Sequence, residues 1–327
     1  MAATPERIVD IAIGFMGAKQ LDAAARIGLF KALADGPQTA AQLANATQRA
    51  ERQVRTLADA MNSFGLLERV DGRYSLAEDA ATYLGGAGEI DLTPFIGFLG
   101  DISFKQWLGY DHTVDTDKAG VLDLDEAGWG EFMQGVMTYN ALHAEQFGRA
   151  FDFSGYRSAL DFGGLAAGFS LAAMGQNPEL RTRFVYAADM VGSVAADAEE
   201  AGLAHRVTVE TADTESAEPG GEHDLVLLTH VLHRFDEAQN RRILKVSREA
   251  AASGATLMLL DFFLDSYTTQ RRIDALHAGE YFNIDGTVVY PVDQVEEWLE
   301  ATGWRVERMV ALPGSPRVIV ATAVSEG

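Results

Sequence analysis

Two stretches of this chain carry side chains arranged for chemistry. Residues Asp161–Ser170 read DFGGLAAGFS, an acid after an apolar run and then paired glycines opening a helix. This is the pattern of the first strand-to-helix turn in a nucleotide-type crevice, where missing side chains let a ligand approach the backbone. Further on, THVLHRFDEAQ sets His233 just beyond an apolar run, DLVLL, that reads as a parallel strand. Ligands of such sheets bind at the carboxyl ends of the strands, and a neutral imidazole there suits proton transfer near neutral pH. Asp261 ends another apolar run in LMLLDFF, and His277, Glu280 and Asn283 lie in ALHAGEYFNIDG. His230, His233, His277 and Asp261 lack the tight His-x-x-x-His type of spacing that marks a metal site, so no metal is expected.

The elements that must hold these residues fall into two successive patterns. From Ile8 to Tyr83 apolar residues recur at helical steps (Leu21, Ile27, Phe30, Leu33, then Val54, Leu57, Met61), and LLERVDGRYSL comes next, two strand-like runs around Asp71-Gly72. Helices succeeded by a small hairpin make a winged-helix module. From about Arg157 strands and helices alternate. Strands are expected at Ser158–Phe162, Arg183–Tyr186, Arg206–Glu210, Asp224–Leu228 and Thr256–Phe263, and helices at Phe169–Gln176, Ala195–Ala201, Asp236–Ala252 and Val292–Thr302. Such alternation implies an α/β fold, a mostly parallel Rossmann-like sheet covered on both faces. The last runs, Arg305–Leu312 and Arg317–Ala323, join through PGSP, a hairpin spacing that predicts an antiparallel last strand. The divisions expected are 1–90 for the winged-helix domain, 91–152 for a helical, aromatic linker, and 153–327 for the Rossmann-like domain. Aromatics and methionines of the linker could line a flat small-molecule pocket.

Composition narrows the partners. The chain has 327 residues, 48 acidic against 26 basic, and a formal net charge of −22. That charge argues against nucleic acid and anionic membranes, the winged-helix pattern notwithstanding. With no cysteine there can be no disulfide, thiolate metal site or cysteine nucleophile. No apolar run is long enough to span a bilayer and the start lacks a signal-peptide pattern, so a cytoplasmic protein is expected.

The winged-helix module, DFSGYRSALDFGG, the NPEL step, DLVLLTHVLHRFDEAQNRRIL and the ending LEATGWRVERMVALPGSPRVIVATA together resemble the small-molecule O-methyltransferases of the plant caffeate and bacterial polyketide-tailoring type. The resemblance covers nearly the whole chain. It implies a homodimer formed through the N-terminal domain and a second domain that binds S-adenosylmethionine (SAM). It also implies roles for individual residues. Asp161, Gly163 and Gly164 match the cofactor loop, while Leu165 and Ala167 stand where the family has further glycines. The family's ribose carboxylate falls at Tyr186, with Asp189 the nearest acid, and Asp213 matches the acid near the adenine. His233 matches the general base, with Arg234 next to it where the family has Asp. Asp261 matches the acid that orients the base, and His277 lies near a further family acid. The substrate pocket is expected from Trp107, Phe132, Met133, Met137, Asn140, Arg234, Glu280 and Asn283.

Three functions are compatible with these residues. The leading one is SAM-dependent methyl transfer to an aromatic or polyketide-like hydroxyl, with His233 as base. The second is a methyltransferase-fold enzyme that has lost SAM use and catalyses a cyclisation or rearrangement, favoured by the departures at Leu165, Ala167, Tyr186 and Arg234. The third is a non-catalytic dimeric binding protein.

Overall fold

The structure, a computed structural model, describes residues 3–267 and 269–324. The chain divides into two compact units, Met1–Gly109 with Asp123–Tyr139 and Tyr110–Leu122 with Asn140–Gly327, so residues 91–152 are shared between them.

The first unit opens with helices α1 (Glu6–Arg26) and α2 (Leu29–Ala32), a short strand β1 (Gln38–Thr39), and helices α3 (Ala40–Thr47) and α4 (Glu51–Ser63). Helix α3 starts on a reciprocal cap, in which Thr39 and Gln42 each accept a hydrogen bond from the other's backbone N–H. Helix α4 buries Val54, Ala58 and Met61, the three- and four-step stripe seen in the sequence. Strands β2 (Leu67–Val70) and β3 (Arg73–Leu76) form the expected hairpin. Asp71 and Gly72 both have positive φ, +50° and +73°, as a two-residue hairpin turn requires. β3 lies between β1 and β2. Helices α5 (Glu78–Tyr83), α6 (Thr93–Phe98) and α7 (Phe104–Trp107) complete this stretch, the last two separated by one π-helical turn.

Helix α8 (Tyr110–Thr116) belongs to the second unit, and the long helix α9 (Glu126–Ala150) enters it at Asn140. The remaining elements are β4 (Ser158–Phe162), α10 (Gly168–Gln176), β5 (Arg181–Tyr186), α11 (Val191–Glu200), β6 (Val207–Thr211), β7 (His223–Thr229), α12 (Glu237–Glu249), β8 (Ala251–Asp261), α13 (Arg272–Asp285), α14 (Val292–Ala301), β9 (Trp304–Ala311) and β10 (Arg317–Ala323). The seven-stranded sheet runs β6-β5-β4-β7-β8-β10-β9. Only β10 runs against the direction of the other six strands, and it sits between β8 and β9 rather than at the edge. β4 through β8 read as nearly continuous apolar runs because both faces of the sheet are covered. One face packs under Trp298, Leu299, Ile243 and Leu244, the other under Phe147, Phe153, Phe169 and Met174.

Chain order reverses between β4 and β7, the topological switch point where such sheets bind ligands. Register sets which residues gather there. Asp161 pairs with Leu227 of β7, Thr229 with Leu260 of β8, and Asp261 closes β8 next to it. The strand ends carrying Phe162, Tyr186, Thr229 and Asp261 therefore open on one rim.

Candidate active site

His233 lies in a single helical turn, Leu232–Arg234, between β7 and α12. Asp236 fixes that turn from the far side: it caps α12 by accepting from the Gln239 N–H at 2.9 Å, while Gln239 accepts from the Asp236 N–H at 3.0 Å. The His233 ring meets Asp261, with Nδ1 3.0 Å from both carboxylate oxygens, and the His233 backbone N–H points at the same carboxylate. Burial would raise Asp261, yet His233 beside it holds the carboxyl below its usual pKa of 3.8, so it stays ionised. An anionic Asp261 fixes the Nδ1–H tautomer and leaves Nε2 as the acceptor nitrogen, the arrangement of a general base with its orienting acid.

Further imidazoles stack behind this pair. His143 of α9 and His230 at the end of β7 face each other, Nδ1 to Nε2, at 3.0 Å. Burial keeps His143 well below 6.5 and lowers His230 to about 3, so both are neutral. His230 adopts φ +56°, a left-handed conformation rare outside glycine. His277 lies flat on Phe262, ring centroids 3.9 Å apart, with Nδ1 2.8 Å from the Ile273 carbonyl; burial lowers it to about 4. His230, His233 and Asp261 bring possible metal ligand atoms within 4.8 Å of one another. The His233–Asp261 and His143–His230 hydrogen bonds already engage these side chains.

On α13, His277, Glu280 and Tyr281 share a face at i, i+3 and i+4. The Tyr281 ring centroid is 4.6 Å from that of His233, closer than any other aromatic ring contact of His233 among the described residues. Asn283, on the same helix, is buried and accepts from the Thr113 hydroxyl at 3.0 Å, while its carbonyl accepts from the Gly120 N–H, so it ties the 110–120 segment to α13. Asn140 is buried on α9. Trp107, Phe132, Met133 and Met137 belong to the first unit, where Phe132 packs edge-on against Phe98 (5.3 Å) and Trp129 (5.4 Å), and Met133 is exposed.

The glycine turn is where structure and expectation part. Gly163 and Gly164 are both buried. A Cβ on Gly163, which has φ +69°, would collide with the Thr214 methyl; one on Gly164 would collide with the Tyr186 hydroxyl and lie 3.1 Å from the Thr229 hydroxyl. The missing side chains make room for the chain's own. Tyr186, fully buried, shares its proton between Asp161 (2.8 Å) and the Ala166 carbonyl (3.2 Å), and Ser170 donates to the other Asp161 oxygen at 2.6 Å. Burial lifts Asp161 to about 7, against the pull of those two donors, and burial keeps Tyr186 a phenol. Arg234 donates to the Gly163 carbonyl and, at 2.9 Å, to the His230 carbonyl. Leu165 is half-buried and Ala167 buried, while Asp189 and Asp213 are exposed.

An O-methyltransferase domain matches residues 104–284, and an O-methyltransferase dimerisation domain matches residues 9–86. The chain belongs to the O-methyltransferase family. It is 30% identical to 3-hydroxy-5-methyl-1-naphthoate 3-O-methyltransferase of Streptomyces sahachiroi over 80% of this chain and 78% of that protein. It is 27% identical to the N,N-dimethyltransferase OxyT of Streptomyces rimosus over 94% and 92%. Among solved structures, the apo form of the SAM-dependent methyltransferase SibL superposes with a TM-score of 0.86 at 22% identity, covering 98% of this chain and all of that one. CalO1, in its S-adenosylhomocysteine-bound form, gives 0.85 at 21%, covering 97% of each. These likenesses bear out the methyltransferase fold read from the sequence, and the relatives bear out a natural-product methyltransferase family. Among the described residues no helix is long and apolar enough to cross a membrane.

The family's cofactor sets a test for these residues. SAM is a sulfonium cation that needs open glycine backbone, a ribose carboxylate on the second strand and no competing cation. Here the glycines face Thr214 and Tyr186, the second strand ends in a buried phenol, both oxygens of Asp161 are engaged, and a guanidinium caps the Gly163 carbonyl. The crevice as arranged does not fit SAM.

Proposed function

We propose that this O-methyltransferase-family enzyme acts on a hydroxyl of an aromatic or polyketide-like small molecule, with His233 as the general base and Asp261 as its orienting acid. The observation that carries this reading is the pair itself: His233 Nδ1 lies 3.0 Å from both oxygens of a buried, ionised Asp261 at the carboxyl end of a parallel sheet. Tyr281 flanks the base, and His277, kept neutral, meets the Tyr281 ring edge-on. O-Methylation is the fate of the hydroxyl oxygen that the family supports. A second reading, in which the oxygen reacts within the substrate and no methyl group moves, is favoured by the crevice filled by Tyr186 and Arg234.

We also infer that the chain works as a homodimer. Helix α1 lies in the region matched by the dimerisation domain and exposes Ile8, Ile11 and Phe15 at helical spacing, 73%, 80% and 53% accessible. Sedimentation of the native chain should give a dimer, and Ile11→Glu should shift it towards monomer; a native monomer would refute this assembly. Turnover of a panel of hydroxylated aromatics tests the base. His233→Ala should abolish it, and unchanged turnover would remove His233 from the chemistry.

A further inference from the structure

We infer that this chain excludes SAM, because Tyr186 and Arg234 fill the crevice that the family uses for the cofactor. Space comes first. The room beside Gly164 is taken by the Tyr186 hydroxyl, so the glycine is required by a neighbouring side chain rather than by a ligand. Tyr186 cannot swing aside as a surface residue would. Its ring is fully buried with Ala167, Phe184 and Val194 and meets Phe184 edge-on at 5.6 Å. Moving it would empty a packed cluster and strip Asp161 of a hydrogen bond.

Hydrogen bonding points the same way. A ribose diol is held by a carboxylate that accepts from both hydroxyls, whereas the phenol at the end of the second strand, its proton committed to Asp161 and Ala166, cannot supply that bidentate acceptance and is fully buried. Charge acts in the same direction. The Arg234 guanidinium contacts two backbone carbonyls, of Gly163 and His230, and sits over the Phe235 ring at 5.3 Å. Burial lowers its pKa, and the carboxylates of Asp261 and Asp189 favour the charge in the opposite direction. A sulfonium approaching the Gly163 turn would meet this fixed cation at short range, where like charges repel strongly away from bulk water. The two substitutions therefore work together, one by volume and one by sign.

Only the consequence of exclusion rests on the reading of His233 as base: without a methyl donor, the oxygen that His233 deprotonates meets a different fate. With no methyl donor, His233 breaks the substrate O–H bond and takes the proton. The oxygen electron pair forms a new C–O bond to one carbon of a C=C group in the same molecule, whose π bond breaks and leaves its electron pair on the other carbon. The imidazolium then returns the proton to carbon, so the product is an isomer of the substrate and no oxidant or reductant is required.

Calorimetric titration of SAM and of S-adenosylhomocysteine into the full chain decides it. The native protein should take up neither at millimolar concentration. Tyr186→Glu combined with Arg234→Asp restores an acceptor and removes the cation, and should bind in the micromolar range; Tyr186→Ala combined with Arg234→Ala, which empties both places, serves if the first variant does not fold. Micromolar binding by the native chain overturns the inference. Absence of binding in every variant overturns the assignment of exclusion to these two side chains. Neither result depends on His233, whose part as base fails separately if His233→Ala leaves turnover unchanged.

Discussion

The two ends of the crevice in the Rossmann-like sheet are built for different tasks. At the β7–β8 end, the pair His233 and Asp261 has the geometry of a base and its orienting acid. At the β4–β5 end, the turn keeps its acid and its two glycines, but Tyr186, Ser170 and Thr214 occupy the space those residues would otherwise leave open. A motif can therefore survive in sequence while its purpose changes: Gly164 is as necessary to the phenol beside it as it would be to a cofactor.

The two ends should separate most clearly when the base is removed. Loss of a positioned proton acceptor costs about 10²–10⁴-fold in rate, so His233→Ala should lower turnover by that order, and should also cost stability because the buried Asp261 carboxylate loses its imidazole donor; comparable loss of turnover from Tyr186→Phe would erase the distinction between the two ends. At the crevice end the expected effect is on stability. Tyr186→Phe leaves a buried carboxyl oxygen of Asp161 without its donor and should cost about 1–3 kcal/mol by urea denaturation; no loss would mean that the phenol is not held by Asp161.

Asp161 also supplies a pH signature. Its pKa rises from 3.8 to about 7 on folding, so the folded chain holds the proton more tightly than the unfolded one. That contribution is complete below pH 3.8 and is lost as pH climbs to about 7. Asp161→Asn should flatten the decline of melting temperature across this window, and an unaltered slope would assign the decline to other groups. The smallest effect is a control. Thr39→Ala removes the cap of α3 in the first unit and should cost about 1 kcal/mol, lowering the melting temperature without altering ligand binding at either end.

Much of the sheet is legible in the sequence because its strands are buried on both faces. β4 and β10 occupy the bounds read from their apolar runs, Ser158–Phe162 and Arg317–Ala323. β8 starts at Ala251 rather than Thr256, since Gly254, at φ +74°, and Ser253 interrupt the run without ending the strand. Helix α13 is absent from the helices expected from the sequence, because Asp274 and Asn283 are among its buried residues and blur the apolar stripe. Within the site, Asp261 ends β8 and His233 lies four residues past β7, so both are legible at the carboxyl ends of neighbouring strands, and the family resemblance pairs them. The partners His143 and Tyr281 escape such a reading, because they arrive from distant helices. The spacing of Tyr281 four residues after His277 is the one local signal. That Tyr186 reaches Asp161 depends on adjacent parallel strands in a register that sequence does not display.

The Gly163 turn, on this view, belongs to the protein's own packing and not to a cofactor. Hydrogen–deuterium exchange over residues 161–170 of the native chain, with and without millimolar SAM, separates the two. Exchange should be identical in both conditions; slower exchange in that segment on adding SAM would show that the turn still receives the cofactor.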